Sequence, residues 1–110
     1  MSYDFSMEAD LGGAKPTRLW NYQMNVTYNL NSMFCEALDL EESTHELRGK
    51  TGEELIPLLQ IGIRDMEMNP TKYEEMNPPN GWGDEEGALK TLRTLLNWCV
   101  QSPKARLVIS

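Results

Sequence analysis

Trp20-Asn21-Tyr22-Gln23-Met24-Asn25-Val26-Thr27-Tyr28-Asn29-Leu30-Asn31 sorts into two sets by alternate position. Even positions carry Trp20, Tyr22, Met24, Val26, Tyr28 and Leu30, and odd positions carry Asn21, Gln23, Asn25, Thr27, Asn29 and Asn31. A helix would scatter both sets around its circumference, whereas an extended strand puts them on opposite faces. The pattern predicts a strand from about Arg18 to Tyr28, apolar on one side and amide-rich on the other.

Upstream, Tyr3, Phe5 and Met7 alternate with Asp4, Ser6 and Glu8, which predicts a second strand before the Gly12-Gly13 and Pro16 breaks. Downstream the period lengthens. Ser32 reads as the cap of a short helix over Met33 to Leu40. Ser43-Thr44-His45-Glu46 and Thr51-Gly52-Glu53-Glu54 both have capping-box spacing, the second opening a helix from Gly52 to Met68. Its stripe is Leu55, Leu59, Ile63 and Met66, and Pro57 lies inside it. Pro70 ends that helix, a further turn is expected over Thr71 to Met76, and Asp84 caps a last helix from Glu85 to Gln101. Ala88, Leu89, Leu92, Leu95, Leu96, Cys99 and Val100 form its expected core face, and Ala105 to Ile109 reads as a terminal strand. These pieces make one α+β domain over residues 1–110. About three antiparallel strands carry two long helices and one short helix on one face, and the other face stays polar.

Composition narrows the function. The 110 residues hold 17 acidic and 10 basic side chains, a net charge of −7, which disfavours direct binding to DNA or RNA. Glu53-Glu54, Glu74-Glu75 and Glu85-Glu86 are each expected in the first turn of a helix, where the macrodipole favours negative charge. No apolar run approaches the ~20 residues of a membrane span, and the start Met1-Ser2-Tyr3-Asp4 lacks the features of a secretory signal. A cytoplasmic location is therefore expected. Cys35 and Cys99 then read as small buried apolar residues. No metal site, cofactor or catalytic constellation emerges from the spacing of the single His45 and the carboxylates, so a non-enzymatic protein is expected.

The candidate site residues come from three places. The first is the carboxamide row, Asn21, Gln23, Asn25, Thr27 and Asn29, with the rings of Tyr22 and Tyr28 alongside. Asn is depleted in strands, yet each carboxamide is a neutral donor and acceptor suited to a base edge or a ribose; the competing reading is a merely solvated face. The second is Trp82 within Asn80-Gly81-Trp82-Gly83-Asp84, either a stacking platform or a pin for the loop. The third is the pair Arg48 and Lys50 ahead of a helix start, two cations for one phosphate; the flanking residues do not complete a phosphate-binding loop.

Four blocks carry a resemblance: Met1-Ser2-Tyr3-Asp4, Asn25-Val26-Thr27-Tyr28-Asn29, Gly52-Glu53-Glu54-Leu55-Ile56-Pro57 and Pro78-Pro79-Asn80-Gly81-Trp82-Gly83-Asp84. In this order they resemble a family of small bacteriophage and prophage proteins that offers no catalytic residues to transfer. The resemblance implies an accessory protein acting against host antiviral defence. The expected function is sequestration of a nucleotide-derived signalling molecule by a homo-oligomer with sites between subunits. The alternative is an acidic inhibitor that docks on a host defence protein through Trp82 and its carboxylates.

Overall fold

The computed structural model describes residues 2–81 and 83–110. Strand β1 (Ser2–Ala9) is central, with β2 (Thr17–Thr27) antiparallel on one side and β3 (Arg106–Ile109) antiparallel on the other. Four helices follow between β2 and β3: α1 (Asn31–Leu38), α2 (Gly52–Met68), α3 (Pro70–Glu74) and α4 (Glu85–Gln101). The expected α+β architecture is present, and the further turn expected over Thr71 to Met76 takes the form of the short helix α3. Among the described residues no helix is long and apolar enough to cross a membrane.

The helices cover one sheet face because the alternation of β1 gives them an apolar floor. Tyr3, Phe5 and Met7 are buried there, joined by Val26 of β2, Leu107 and Ile109 of β3, and Leu55, Leu59, Leu92 and Leu95 of the long helices. At the start of α2, a Cβ on Gly52 would stand 2.9 Å from both Pro103 Cα and Ser102 O, so this close approach to the end of α4 requires glycine.

Helix starts follow the local signals. Thr51 and Glu54 complete one capping box, and Ser43 and Glu46 the other, around a 3-10 turn at Thr44–Leu47. The backbone N–H groups of Ser43, Glu42 and Glu41 hold the Glu46 carboxyl below the usual carboxylate range. Asp84 caps α4 by accepting from Gly87 N–H at 2.8 Å. Ser32 does not cap α1, which begins one residue earlier and directly continues a 3-10 turn at Tyr28–Leu30. Glu74 and Glu75 stand at the C-terminal end of α3, not in a first turn, because Pro70 starts that helix.

Two apolar assignments change on folding. Val100 is 61% exposed while Trp98 is buried, so the core face of α4 is rotated toward Trp98. Trp20 is 73% exposed, although it shares parity with buried Tyr22 and Val26. The cause is a bulge. Ser6 pairs with Gln23 but Met7 pairs with Leu19, so one step along β1 corresponds to four along β2. An odd surplus of residues inverts which parity faces the helices. Leu19 therefore packs against the core and Trp20 turns outward.

The junction of α2 and α3 is held by Asp65. Its carboxylate accepts from Lys72 Nζ at 2.8 Å and from the Tyr73 hydroxyl, whose ring is wholly buried. The bond from Lys72, then that from Tyr73, lowers the Asp65 pKa. A lowered folded-state pKa contributes stability above the unfolded value, which is lost as pH falls through the folded one. Urea denaturation across the acid range should therefore show wild type more stable than Asp65→Asn near neutrality. The gap should close below about pH 4; a constant gap contradicts this role for the Asp65 charge.

Candidate functional site

The sheet face turned away from the helices carries the polar side chains of all three strands, and the register aligns them in rows. Arg18, Glu8 and Arg106 lie side by side, then Gln23, Ser6 and Val108, and then Asn25, Asp4 and Ser110. Two carboxylates and two guanidiniums make this face locally neutral on a chain of net charge −7. A shallow cleft of about 360 Å³ runs over it, lined by Asp4, Ser6, Arg18, Gln23, Asn25 and Ser110 among others.

Arg18 organises the cleft. Its Nη2 reaches Ser6 Oγ at 3.5 Å, and Ser6 is only 3% exposed despite its place on the open face. The guanidinium carbon also lies 5.7 Å from the Trp20 ring centroid. A cation over an indole face is attracted by the ring quadrupole, so the bulge leaves an exposed ring and a positive charge side by side. The alternation alone placed Trp20 in the core, so only the bulge in the pairing reveals it.

The carboxamide row divides. Asn21 and Gln23 are exposed and make no side-chain hydrogen bond to a described residue. Asn25 is anchored: its Nδ2 donates to Ser2 Oγ at 3.0 Å, to Tyr3 O at 3.2 Å and to Asp4 Oδ1 at 2.9 Å. Its own Oδ1 receives nothing from a described residue. Thr27 and Asn29 serve the chain reversal, where Thr27 Oγ1 accepts from Asn29 N at 3.4 Å and from Asn29 Nδ2 at 3.2 Å.

The two tyrosines leave this face. Tyr22 is buried toward the helices, with its ring 5.5 Å from Trp98. Its hydroxyl donates to Gln101 Oε1 at 3.2 Å and bonds Ser102 Oγ at 2.8 Å, tying β2 to the end of α4. Tyr28 is half-exposed in the 3-10 turn and packs on Tyr3 at 5.1 Å. Tyr3 also meets the half-buried His45 ring edge-on at 4.8 Å, and His45 Nδ1 bonds Ser43 Oγ at 2.9 Å.

Arg48 and Lys50 lie across the sheet from β2, on the segment that runs alongside β3. The helix start beyond them is already occupied. Glu54 accepts from Thr51 N–H at 3.0 Å and from its hydroxyl at 3.1 Å, and Lys104 pairs with Glu53 at 2.9 Å. The first-turn amides of Gly52, Glu53 and Glu54 already donate to Ala105 O at 2.8 Å, Pro103 O at 2.9 Å and Thr51 Oγ1 at 3.3 Å, so the expected phosphate would find them engaged, and the two cations do not join the carboxamides. Trp82 lies outside the described residues. The glycine beside it, Gly83 at φ +103°, packs where a Cβ would touch Leu30 Cγ and Thr27 Cγ2 at 3.0 Å, so this loop closes against the end of β2.

Among the described residues no three His, Cys, Asp or Glu side chains converge as metal ligands. Tyr22 acts here as a fastener, so Tyr22→Phe should lower stability by about 1 kcal/mol and leave binding at the open face unchanged. Thermal melts and titrations on the same sample check this. A loss of binding with unchanged stability would place the hydroxyl in the site instead. Comparison with known protein families, curated proteins and solved structures finds no match.

Proposed function

We propose that the chain is a non-enzymatic binding protein that captures a nucleotide-derived molecule on the open face of its sheet. The observation that carries this reading is the exposed Trp20 ring beside Arg18, a residue that itself lines the cleft with Ser6, Gln23 and Asn25. Every base has a π-face, and stacking on an aromatic side chain contributes about 1–3 kcal/mol. Gln23 and the Asn25 carbonyl supply donors and an acceptor for a base edge or ribose, and Arg18 supplies one local cation for a phosphate. The −7 body repels polyanions, which favours ligands with few phosphates over nucleic acid.

Ser6, the only hydroxyl side chain of β1 within the cleft, contacts a guanidinium and not a base, and His45 lies on the opposite side of the sheet against Tyr3. This arrangement supports capture over turnover. The biological setting we attach to it is sequestration of a host antiviral signal in the cytoplasm of a phage-infected cell, and it rests on the resemblance to phage accessory proteins.

Calorimetric titration with cyclic dinucleotides and ADP-ribose derivatives tests the reading. Saturable heat is expected with at least one of them, weakened about 5- to 150-fold in Trp20→Ala, the affinity equivalent of one stacked base. Arg18→Gln should weaken phosphate-bearing ligands selectively. Absence of heat across the panel overturns the proposal. Recovery of one stoichiometric host protein from lysate, with no small molecule retained, would favour the acidic-inhibitor alternative.

A further inference from the structure

Of the two edges of the sheet, the β3 edge is covered by residues 49–52. Gly49 N–H donates to Leu107 O at 2.9 Å, Leu107 N–H to Lys50 O at 2.9 Å, and Gly52 N–H to Ala105 O at 2.8 Å. Along β2, no described segment pairs with the outer edge. The register says which groups that edge presents. Asp4 exchanges both backbone hydrogen bonds with Ser110, at 2.8 and 3.0 Å, so its N–H and C=O point toward β3. Its neighbour Asn25 on β2 then sits in a non-hydrogen-bonded pair, with its own N–H and C=O directed away from the sheet. The same alternation directs Gln23 and Thr27 outward.

Exposed edges are ordinarily blunted by charge or proline. Leu19 to Thr27 contains no Asp, Glu, Lys, Arg or Pro, in a chain where a quarter of all residues are charged. Two of the large exposed apolar side chains lie along it, Trp20 near its start and Tyr28 directly after its end. A net charge of −7 opposes self-association over most of the surface, and this edge is where that repulsion is least.

We propose that the β2 edge pairs with the same edge of a second copy, antiparallel, about a two-fold axis through Asn25. Gln23 of each copy then faces Thr27 of the other. The bulge at Leu19–Gln23 and the 3-10 turn at Tyr28 bound the paired stretch. A two-fold axis suits an edge whose outward groups recur symmetrically about one residue. The two sheets become one, and their open faces join with the Gln23 and Asn25 rows of both copies on adjacent strands, about 4.8 Å apart. The pairing requires no ligand, so it stands or falls separately from the nucleotide reading.

Light scattering with size-exclusion chromatography reads the outcome directly. Wild type should run at twice the 12.6 kDa of one chain. Asn25→Lys and Asn25→Asp should each run as single chains, because like charges meet on the axis, and an equimolar mixture should regain the doubled mass. Gln23→Pro should also run as a single chain with unchanged circular dichroism, since the amide it removes points out of the sheet. A wild-type monomer at every attainable concentration, variants that remain dimeric, or a mixture that fails to reassociate would each overturn the proposal.

Discussion

A bulge in β2, where four residues span one step of β1, decides which aromatic rings belong to the core and which meet water. Were β2 regular, Trp20 would share a face with Tyr22 and Val26, and the open side of the sheet would hold amides without a ring. The odd surplus sends Leu19 inward and Trp20 outward, and it places Arg18 over the indole while Ser6 stays sheltered beneath. Tyr22 takes the inward place and spends its hydroxyl on the end of α4. The candidate site and the fastening of β2 to the helices thus share one backbone irregularity, which is a common place for a strand to re-aim a functional side chain.

The distribution of charge fits this arrangement. Much of the acidity has local work at helix starts: Glu46 and Glu54 close capping boxes, and Asp84 caps α4. Asp65 ties α2 to α3 through Lys72 and Tyr73. On the open sheet face Asp4 and Glu8 are matched by Arg18 and Arg106, so an acidic chain presents one neutral, hydrogen-bonding surface. That surface stands away from Arg48 and Lys50, next to a helix start whose first-turn amides are engaged by Ala105 O, Pro103 O and Thr51 Oγ1.

Features set by neighbouring residues were legible in the sequence, and features set by pairing were not. The alternation of Tyr3, Phe5 and Met7, both capping boxes, the Asp84 cap and the apolar run of the terminal strand are each written in a few consecutive residues, and they appear where their patterns place them. The bulge exists only because β1 holds β2 in two registers, so no window of β2 alone reveals it. The choice of Trp98 over Val100 for burial depends on Tyr22 arriving from another element. Within the carboxamide row, composition could not separate Asn25, anchored by Ser2, Tyr3 and Asp4, from the unengaged Asn21 and Gln23.

The exposure of Trp20 tests the account most directly. Acrylamide quenching of a double variant, Trp82→Phe with Trp98→Phe, reads that ring alone. The account predicts red-shifted emission quenched nearly as freely as an indole in water. Blue-shifted emission shielded from acrylamide in the ligand-free monomer would put Trp20 in the core and remove the ring from the open face.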